Sequence, residues 1–202
     1  MEKTLQNFID LQTPLAGLVD HRVSEAIYLS DPDGLGIEIY RDYPSDQWPI
    51  IDNTLQMGNL PFDMQGVMAE LEKTPQDWEG LEKGTVLGHM HLHVGNLIEA
   101  QTFYLESIGF DLMQTFGGSA SFLSTNGYHH HLGINVWNGT NIPAPPADSA
   151  RMQYFTMQLP DEPARELLLK HLKETGVSTE KHELGIMVRD PSENGIVLRV
   201  NS

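Results

Sequence analysis

Residues 27–40, IYLSDPDGLGIEIY, and residues 186–199, IMVRDPSENGIVLR, carry one pattern 159 positions apart. In each, an apolar run meets Asp-Pro, a short polar turn, a glycine and a second apolar run, which is the signature of two strands joined by a turn. The same offset lays LQNFIDL (5–11) on ARELLLK (164–170), so the chain predicts a helix at its start to match one near its end. Met1 then falls on Pro160, just after the strand-like RMQYFTMQL (151–159) has finished. The repeat therefore predicts that the first unit lacks the opening strand that the last one has.

The middle of the chain carries a third set of the same elements. VLGHMHLHVGNLIEAQTFYLESIGF (86–110) reads as a strand alternating around Leu92 and Val94, then a helix ending at Gly109 as a left-handed cap. SASFLSTNGYHHHLGINVW (119–137) reads as a hairpin turning at Asn126-Gly127, a type I′ dipeptide. Near the end, Asp161 predicts a helix N-cap and Gly176 a helix C-cap. The expected organisation is an incomplete βαβββ unit at 1–44 and a linker with a short helix near 67–73 at 45–84. A βαβββ unit at 85–138, a Pro/Ala/Ser loop at 139–150 and a degenerate βαβββ unit at 151–202 follow. The fold class is α+β, with repeated βαβββ units forming curved, half-barrel mixed sheets around a concave pocket.

Composition narrows the function. The 28 Asp and Glu outnumber the 12 Lys and Arg, for a formal charge of −16. That charge repels phosphate backbones and anionic lipid, so nucleic-acid and membrane-surface partners are not expected. The absence of cysteine excludes disulfides, thiolate nucleophiles and Cys-ligated metal. MEKTLQNFID has no basic region followed by an apolar stretch, and no window reaches eighteen apolar residues, so a cytoplasmic protein is expected.

Nine histidines without cysteine invite a metal reading. Two clusters stand out: His89, His91 and His93 in GHMHLH, and His129, His130 and His131 in YHHHLG. In a strand, His89, His91 and His93 share one face and leave Leu92 and Val94 on the other. The polar face of a half-exposed strand would show the same alternation. Glu38 adds a carboxylate, set between Ile37 and Ile39 on the opposite strand face, where the last unit has Val197. A carboxylate on the inner face of a sheet is costly unless paired or coordinated. Histidine plus carboxylate without sulfur suits Zn, Mn or Fe(II), and two histidines with one carboxylate is the arrangement of non-haem Fe(II) oxygenases.

The chain resembles the vicinal-oxygen-chelate superfamily, the glyoxalase, bleomycin-resistance and type I extradiol dioxygenase group. GHMHLHVGNLIEAQTFYLESIGF is similar to its opening βα unit, and HRVSEAIYLSDPDGLGIE (21–38) to the extradiol signature of His, Tyr, Asp-Pro-x-Gly and Glu. The resemblance implies His89 and Glu38 as metal ligands, with His21 and Tyr28 hydrogen-bonding the bound diol and oxygen. It places an acid/base histidine on His130, or on His131 if the register slips. The implied metal is Fe(II), with Mn, Zn or Ni as alternatives, and the implied reactants are a small aromatic diol and O2. The family's second histidine ligand would open a βαβββ unit. In the last unit Tyr154 stands there, and the other place is the strand expected before Met1. A homodimer, or pairing with a chain that supplies that strand, is therefore expected. Two other readings stay open: a glyoxalase-like isomerase or lyase, against which Val197 speaks, and a non-catalytic small-molecule binder with Phe122, Tyr128 and Trp137 lining an apolar pocket.

Overall fold

The computed structural model describes residues 1–73, 77–146 and 148–200. Positions 74–76 of the expected linker, position 147 of the expected loop and the last two residues lie outside the described residues. The chain divides into two compact units, Met1–Leu87 and Gly88–Ser202.

In the first unit, helix α1 (Glu2–Asp10) precedes strands β1 (Gly17–Asp20), β2 (Ser24–Ser30) and β3 (Gly36–Asp42). A short hairpin follows, β4 (Ile50–Ile51) with β5 (Thr54–Leu55), then β6 (Leu60–Pro61) and helix α2 (Met64–Lys73). The helix at the chain's start is the one the internal repeat predicts. Leu5 and Phe8, one turn apart, put an apolar face on α1 that packs with Ile27, Val67 and Met68. Part of the segment expected as linker joins the sheet, whose order is β3-β2-β1-β6. Pro61 of β6 pairs with Val19 on that sheet's outer strand, where the missing N–H of proline is tolerated. At the other end β3 is an edge among the described residues.

The second unit holds two complete βαβββ modules. The first is β7 (Met90–His93), α3 (Leu97–Thr102), β8 (Asp111–Phe116), β9 (Ala120–Ser124) and β10 (Leu132–Asn135). Its helix runs on through a wider π-turn at Phe103–Ile108 and stops at Gly109, whose φ of 94° is left-handed. The second is β11 (Phe155–Leu159), α4 (Glu162–Glu174), β12 (Thr179–His182), β13 (Gly185–Arg189) and β14 (Gly195–Val200). The sheet orders, β7-β10-β9-β8 and β11-β14-β13-β12, are the same arrangement twice. In each the opening strand returns beside the last one in parallel, Met90 facing Leu132 and Phe155 facing Ile196. The fold is α+β, built on βαβββ modules.

Caps fix where the helices begin. The Asn96 side chain accepts from the N–H groups of Ile98 and Glu99, and the Asp161 side chain from that of Ala164. One apolar core joins the two modules of this unit, with Leu92, Val94, Tyr104 and Ile134 from the first and Leu172, Val188, Ile196 and Leu198 from the second. Tyr104 is fully buried and donates its hydroxyl to Asp190 at 3.0 Å. The expected tight hairpin at Asn126-Gly127 is instead a longer connection from 125 to 131. Both residues have the positive φ that type I′ requires, 57° and 72°, yet no strand pairing abuts them.

The two halves of the sequence repeat fold into the same loop. The Asp31 carboxylate accepts from the N–H groups of Asp33 and Leu35, and the Asp190 carboxylate from those of Ser192 and Asn194. In both loops the residue three places on takes a left-handed conformation, Gly34 at 84° and Glu193 at 66°. The environments differ. Asp190 is 2 % exposed, and burial raises its carboxyl above the usual carboxylate range against the pull of hydrogen bonds from Asn194, Ser192 and Tyr104.

Replacing Asp190 by Ala strands the buried Tyr104 hydroxyl and two half-buried amides, so chemical denaturation is expected to show a loss of about 2–4 kcal/mol. Asp31→Ala, in the solvent-washed copy of the loop, is expected to cost under about 1 kcal/mol. Equal losses would show that burial does not set the difference. Burial, and then the charge of Asp190, hold the Tyr104 phenol well above its usual range. A group whose folded pKa is raised lends stability below its unfolded value and loses it as pH rises. The chain is therefore expected to weaken above about pH 10, the value for a free phenol. Tyr104→Phe is expected to make that alkaline decline shallower in a pH series of melting curves.

Candidate metal centre and the histidine–tyrosine pair

The opening strand of the first complete module delivers its histidines in a defined way. Leu92 and Val94 point into the core at 2 % and 0 % exposure. The alternate residues His89 and His91 share the opposite face, their ring centroids 5.1 Å apart. The parallel pairing of β7 with β10, sealed at its start by the Met90 N–H donating to the His131 carbonyl at 3.0 Å, brings the end of the 125–131 loop alongside. His130, 8 % exposed, thereby sits with its ring centroid 4.3 Å from that of His89 and 5.4 Å from that of His91. Each of the three rings offers a nitrogen, and these nitrogens all lie within 4.8 Å of one another. His93, on the same strand, is not part of this group.

Glycine makes room for the second ring. Gly133 faces His91 across the β7–β10 ladder, and a Cβ there would lie 2.6 Å from His91 Cε1. The imidazole thus lies over the bare backbone of β10. Trp137, 55 % exposed, stacks on the His91 ring at 6.4 Å and 25°, and Phe122 meets His91 and His130 edge-on at 6.1 and 5.0 Å. Tyr128 packs elsewhere, against His129 and His131 at 4.0 and 4.8 Å.

The three consecutive histidines of the loop have three separate environments. His131 Nδ1 accepts from the Thr125 N–H and bonds to the Ser124 hydroxyl at 2.8 Å. Its pKa is lowered, first by burial and then by the neighbouring His129 and His89. His131 is thus tied into the loop. His129 is fully buried, with its Nδ1 2.8 Å from the Nδ1 of His130. One of these two nitrogens carries the proton, and His130 has an acceptor Nε2 only in the tautomer where its own Nδ1–H donates to His129.

The first unit holds the other residues the sequence singles out. β2 and β3 pair Tyr28 directly with Glu38. His21 Nε2 lies 2.6 Å from the Tyr28 hydroxyl, and His21 Nδ1 donates to the Gly58 carbonyl at 2.9 Å. A carbonyl can only accept, so Nδ1 carries a proton and Nε2 is left to share one with the phenol. The phenol is held above its usual range, first by burial, then by the charge of Glu38 and the hydrogen bond to it. Tyr28 therefore bridges an imidazole and a carboxylate with a single proton of its own. Of the sequence-derived site residues, the structure brings His21, Tyr28 and Glu38 together in one unit, and His89 with His130 in the other. His91 is the residue that sequence reasoning assigned no role. Its signal lies in the i, i+2 spacing from His89 and in a glycine 42 positions away, which only strand register connects.

No family model matches the chain. It is 40% identical over 174 residues to the catechol-2,3-dioxygenase of Bacillus subtilis (strain 168), a match covering 85% of this chain and 60% of that protein. That likeness supports the vicinal-oxygen-chelate superfamily as the group this chain resembles. The chain spans about 60% of the length of the curated relative it matches. Solved structures with a similar trace include a glyoxalase/dioxygenase from Nostoc punctiforme, with TM-score 0.48 and 13% identity over 63% of this chain and 99% of that one. A lactoylglutathione lyase from Agrobacterium tumefaciens has TM-score 0.47 and 14% identity over 59% and 96%. An antibiotic-binding protein from Streptomyces has TM-score 0.44 and 20% identity over 60% and 100%. Among the described residues no helix is long and apolar enough to cross a membrane.

The donor set of the three histidines is compatible with a divalent metal. Three imidazoles without a thiolate suit Zn, Fe(II), Ni or Cu. Gly133→Ala is expected to push the His91 ring off β10 while leaving the fold intact, because the clashing atoms belong to a side chain that can rotate. Comparing histidine ring signals of the two proteins by NMR checks this, and unchanged His91 shifts would show that the glycine is not needed for the ring's position.

Proposed function

We propose that the chain performs metal-dependent, extradiol-type cleavage of a catechol-like aromatic diol with O2. The observation that carries this reading is the 40% identity to a catechol-2,3-dioxygenase along 85% of the chain. The local chemistry supports it. Fe(II), when bound, supplies chelation of the two diol oxygens and a position for O2. The family pattern gives a metal-ligand role to Glu38 of the first unit and, separately, to His89 of the second. The pair His21 and Tyr28 orients the diol by hydrogen bonding and can hold the proton it loses, since His21 is fixed by the Gly58 carbonyl and Tyr28 by Glu38. The family pattern gives a proton-moving role to His130. Phe122 and Trp137 supply aromatic surface beside the histidine group of the second unit.

The edge of β3 supports a proposal about assembly. In both complete modules the last strand is covered by a parallel opening strand, and β3 is the corresponding strand of the first unit. Such an edge offers unpaired backbone groups to another chain. We propose that a second copy, or a chain supplying a strand, pairs there.

Anaerobic loading with Fe(II), followed by catechol and air, is expected to give O2 uptake matched by a yellow ring-cleavage product. Tyr28→Phe and His21→Gln are each expected to lower kcat by roughly 100-fold or more, as general acid–base groups do. Iron-loaded protein that consumes no O2 with any of several catechols would exclude the reading for this chain.

A further inference from the structure

We propose that the second module, beyond completing the core, carries a binding site for an α-amino acid with an apolar side chain. The site is a cavity where the start of β12 meets the end of β13. It shares no residue with the proposed diol site and needs neither a metal nor the dioxygenase reading.

The cavity has a volume of about 270 Å³. Its walls include Ser178 and Glu180 from the β12 side, Met187 and Arg189 from β13, and Asp190 and Glu193 from the loop that follows. Drug-sized ligands occupy clefts of roughly 300–1,000 Å³, so this one suits a smaller molecule. Strand register supplies the floor. Glu180 pairs with Met187, and alternation sets both on the face opposite Ile186 and Val188, which belong to the core. Met187 is buried, and its partner on β14 is the fully buried Val197. The counterpart of that pair in the first unit is Tyr28 with Glu38, so a polar pair there has become an apolar floor here. Gly195, opposite Arg189, gives the thioether room: a Cβ there would lie 3.2 Å from Met187 Sδ.

The loop wall is held from behind. The Asp190 carboxylate accepts from the Ser192 and Asn194 N–H groups, the Asn194 side-chain amide and the Tyr104 hydroxyl. Asp190 therefore shapes the wall and has no lone pair to spare for a ligand. The charges in front of it are less satisfied. Arg189 Nη1 donates to the Glu193 carbonyl at 3.2 Å, while Nε stands 3.9 Å from the Glu193 carboxylate, beyond hydrogen-bond reach. Among the described residues, no protein group pairs with Arg189 Nη2, the Glu180 carboxylate or the Ser178 hydroxyl.

This set selects its ligand by charge. Glu180 and Glu193 together outweigh one guanidinium, so phosphates and dicarboxylates are repelled, and the guanidinium repels a bare divalent cation. A neutral apolar molecule would strip water from the charged groups and return no partner. A zwitterion meets each requirement. Its carboxylate takes the free edge of Arg189, its ammonium takes Glu180 with Glu193 beside it, and the Ser178 hydroxyl accepts from one or donates to the other. An α-carbon joins the two charges at the short separation that so small a cavity allows. The side chain it also carries then covers the Met187 floor, which favours an aliphatic amino acid over glycine.

The test uses the full chain, isotope-labelled in its methionine methyls and backbone amides, and three probes. These are L-leucine, isocaproate, which is leucine without its ammonium, and isoamylamine, which is leucine without its carboxylate. L-Leucine is expected to shift the NMR signals of the Met187 methyl and the Glu180 amide saturably, at one site per chain. Each single-charge analogue is expected to bind at least roughly tenfold more weakly, as loss of a charge-assisted hydrogen bond predicts. Arg189→Gln and Glu180→Gln, both at exposed positions, are each expected to weaken leucine binding by a similar factor, with circular dichroism confirming the fold. No saturable shift with L-leucine, equal binding of the three probes, or leucine binding indifferent to both substitutions would each overturn the proposal. Catechol turnover, measured on the same samples, reports only on the dioxygenase reading, and its absence leaves this site standing.

Discussion

The parallel pairing of the first and last strands of each βαβββ module is the constraint on which the second unit depends. A strand can return beside its predecessor in parallel only through a crossover, here a helix and two further strands. That closure has two consequences. It buries the inner faces of β7 and β10 together with α3, which is why Leu92, Val94 and Ile134 are nearly inaccessible. It also aligns the entrances of the two strands, so residues just before β7 and just before β10 become neighbours although some 40 positions separate them. His89 and His130 meet for that reason. An antiparallel closure would have set the entrance of one strand beside the exit of the other and dispersed the histidines.

The repeated Asp-Pro loop shows how one local solution serves different energetic roles. Asp31 and Asp190 fold their backbones identically, because a carboxylate two residues before a free amide is a self-sufficient turn. What differs is the surroundings. Asp190 is roofed by Tyr104, so the same turn also ties the helix of one module to the hairpin of the next, and its carboxyl is raised by burial. A further tie is the Gly95 N–H donating to the Ser192 hydroxyl, so the loop anchors both the strand exit and the helix of the preceding module. The second module lacks the histidines of the first, and its part in the unit is to complete the core.

Much of this was legible in the sequence, and for identifiable reasons. The helix at the chain's start follows from laying residues 5–11 on 164–170, and the caps at Gly109, Asp161 and Gly176 act locally, so type and place are set by neighbouring residues alone. The His21, Tyr28 and Glu38 group was legible because a tight turn brings its two strands together within a few residues. The turn at Asn126-Gly127 misled because the dipeptide dictates positive φ but not what flanks it, and the histidines that follow extend the loop before pairing resumes. The place of His91 was invisible for a stronger reason. It depends on Gly133, and only the register of a parallel ladder tells which residue of β10 lies across from which residue of β7.

That register also explains why the third imidazole carries weight beyond its number. Two histidines on one strand face are common, and a buried histidine next to another is satisfied by a shared proton, as His129 and His130 are. Neither arrangement alone requires an ion. A glycine opposite His91 costs the sheet: it forgoes packing and raises the entropy lost on folding by roughly 0.5–1 kcal/mol relative to alanine. In return the ring comes close to the backbone of β10, near Trp137 and the other two imidazoles, at an exposed position. A purely structural histidine gains little from such a position, since an exposed ring contributes small burial. What the glycine provides is room for the His91 ring beside those of His89 and His130, so that three imidazole nitrogens converge within 4.8 Å of one another.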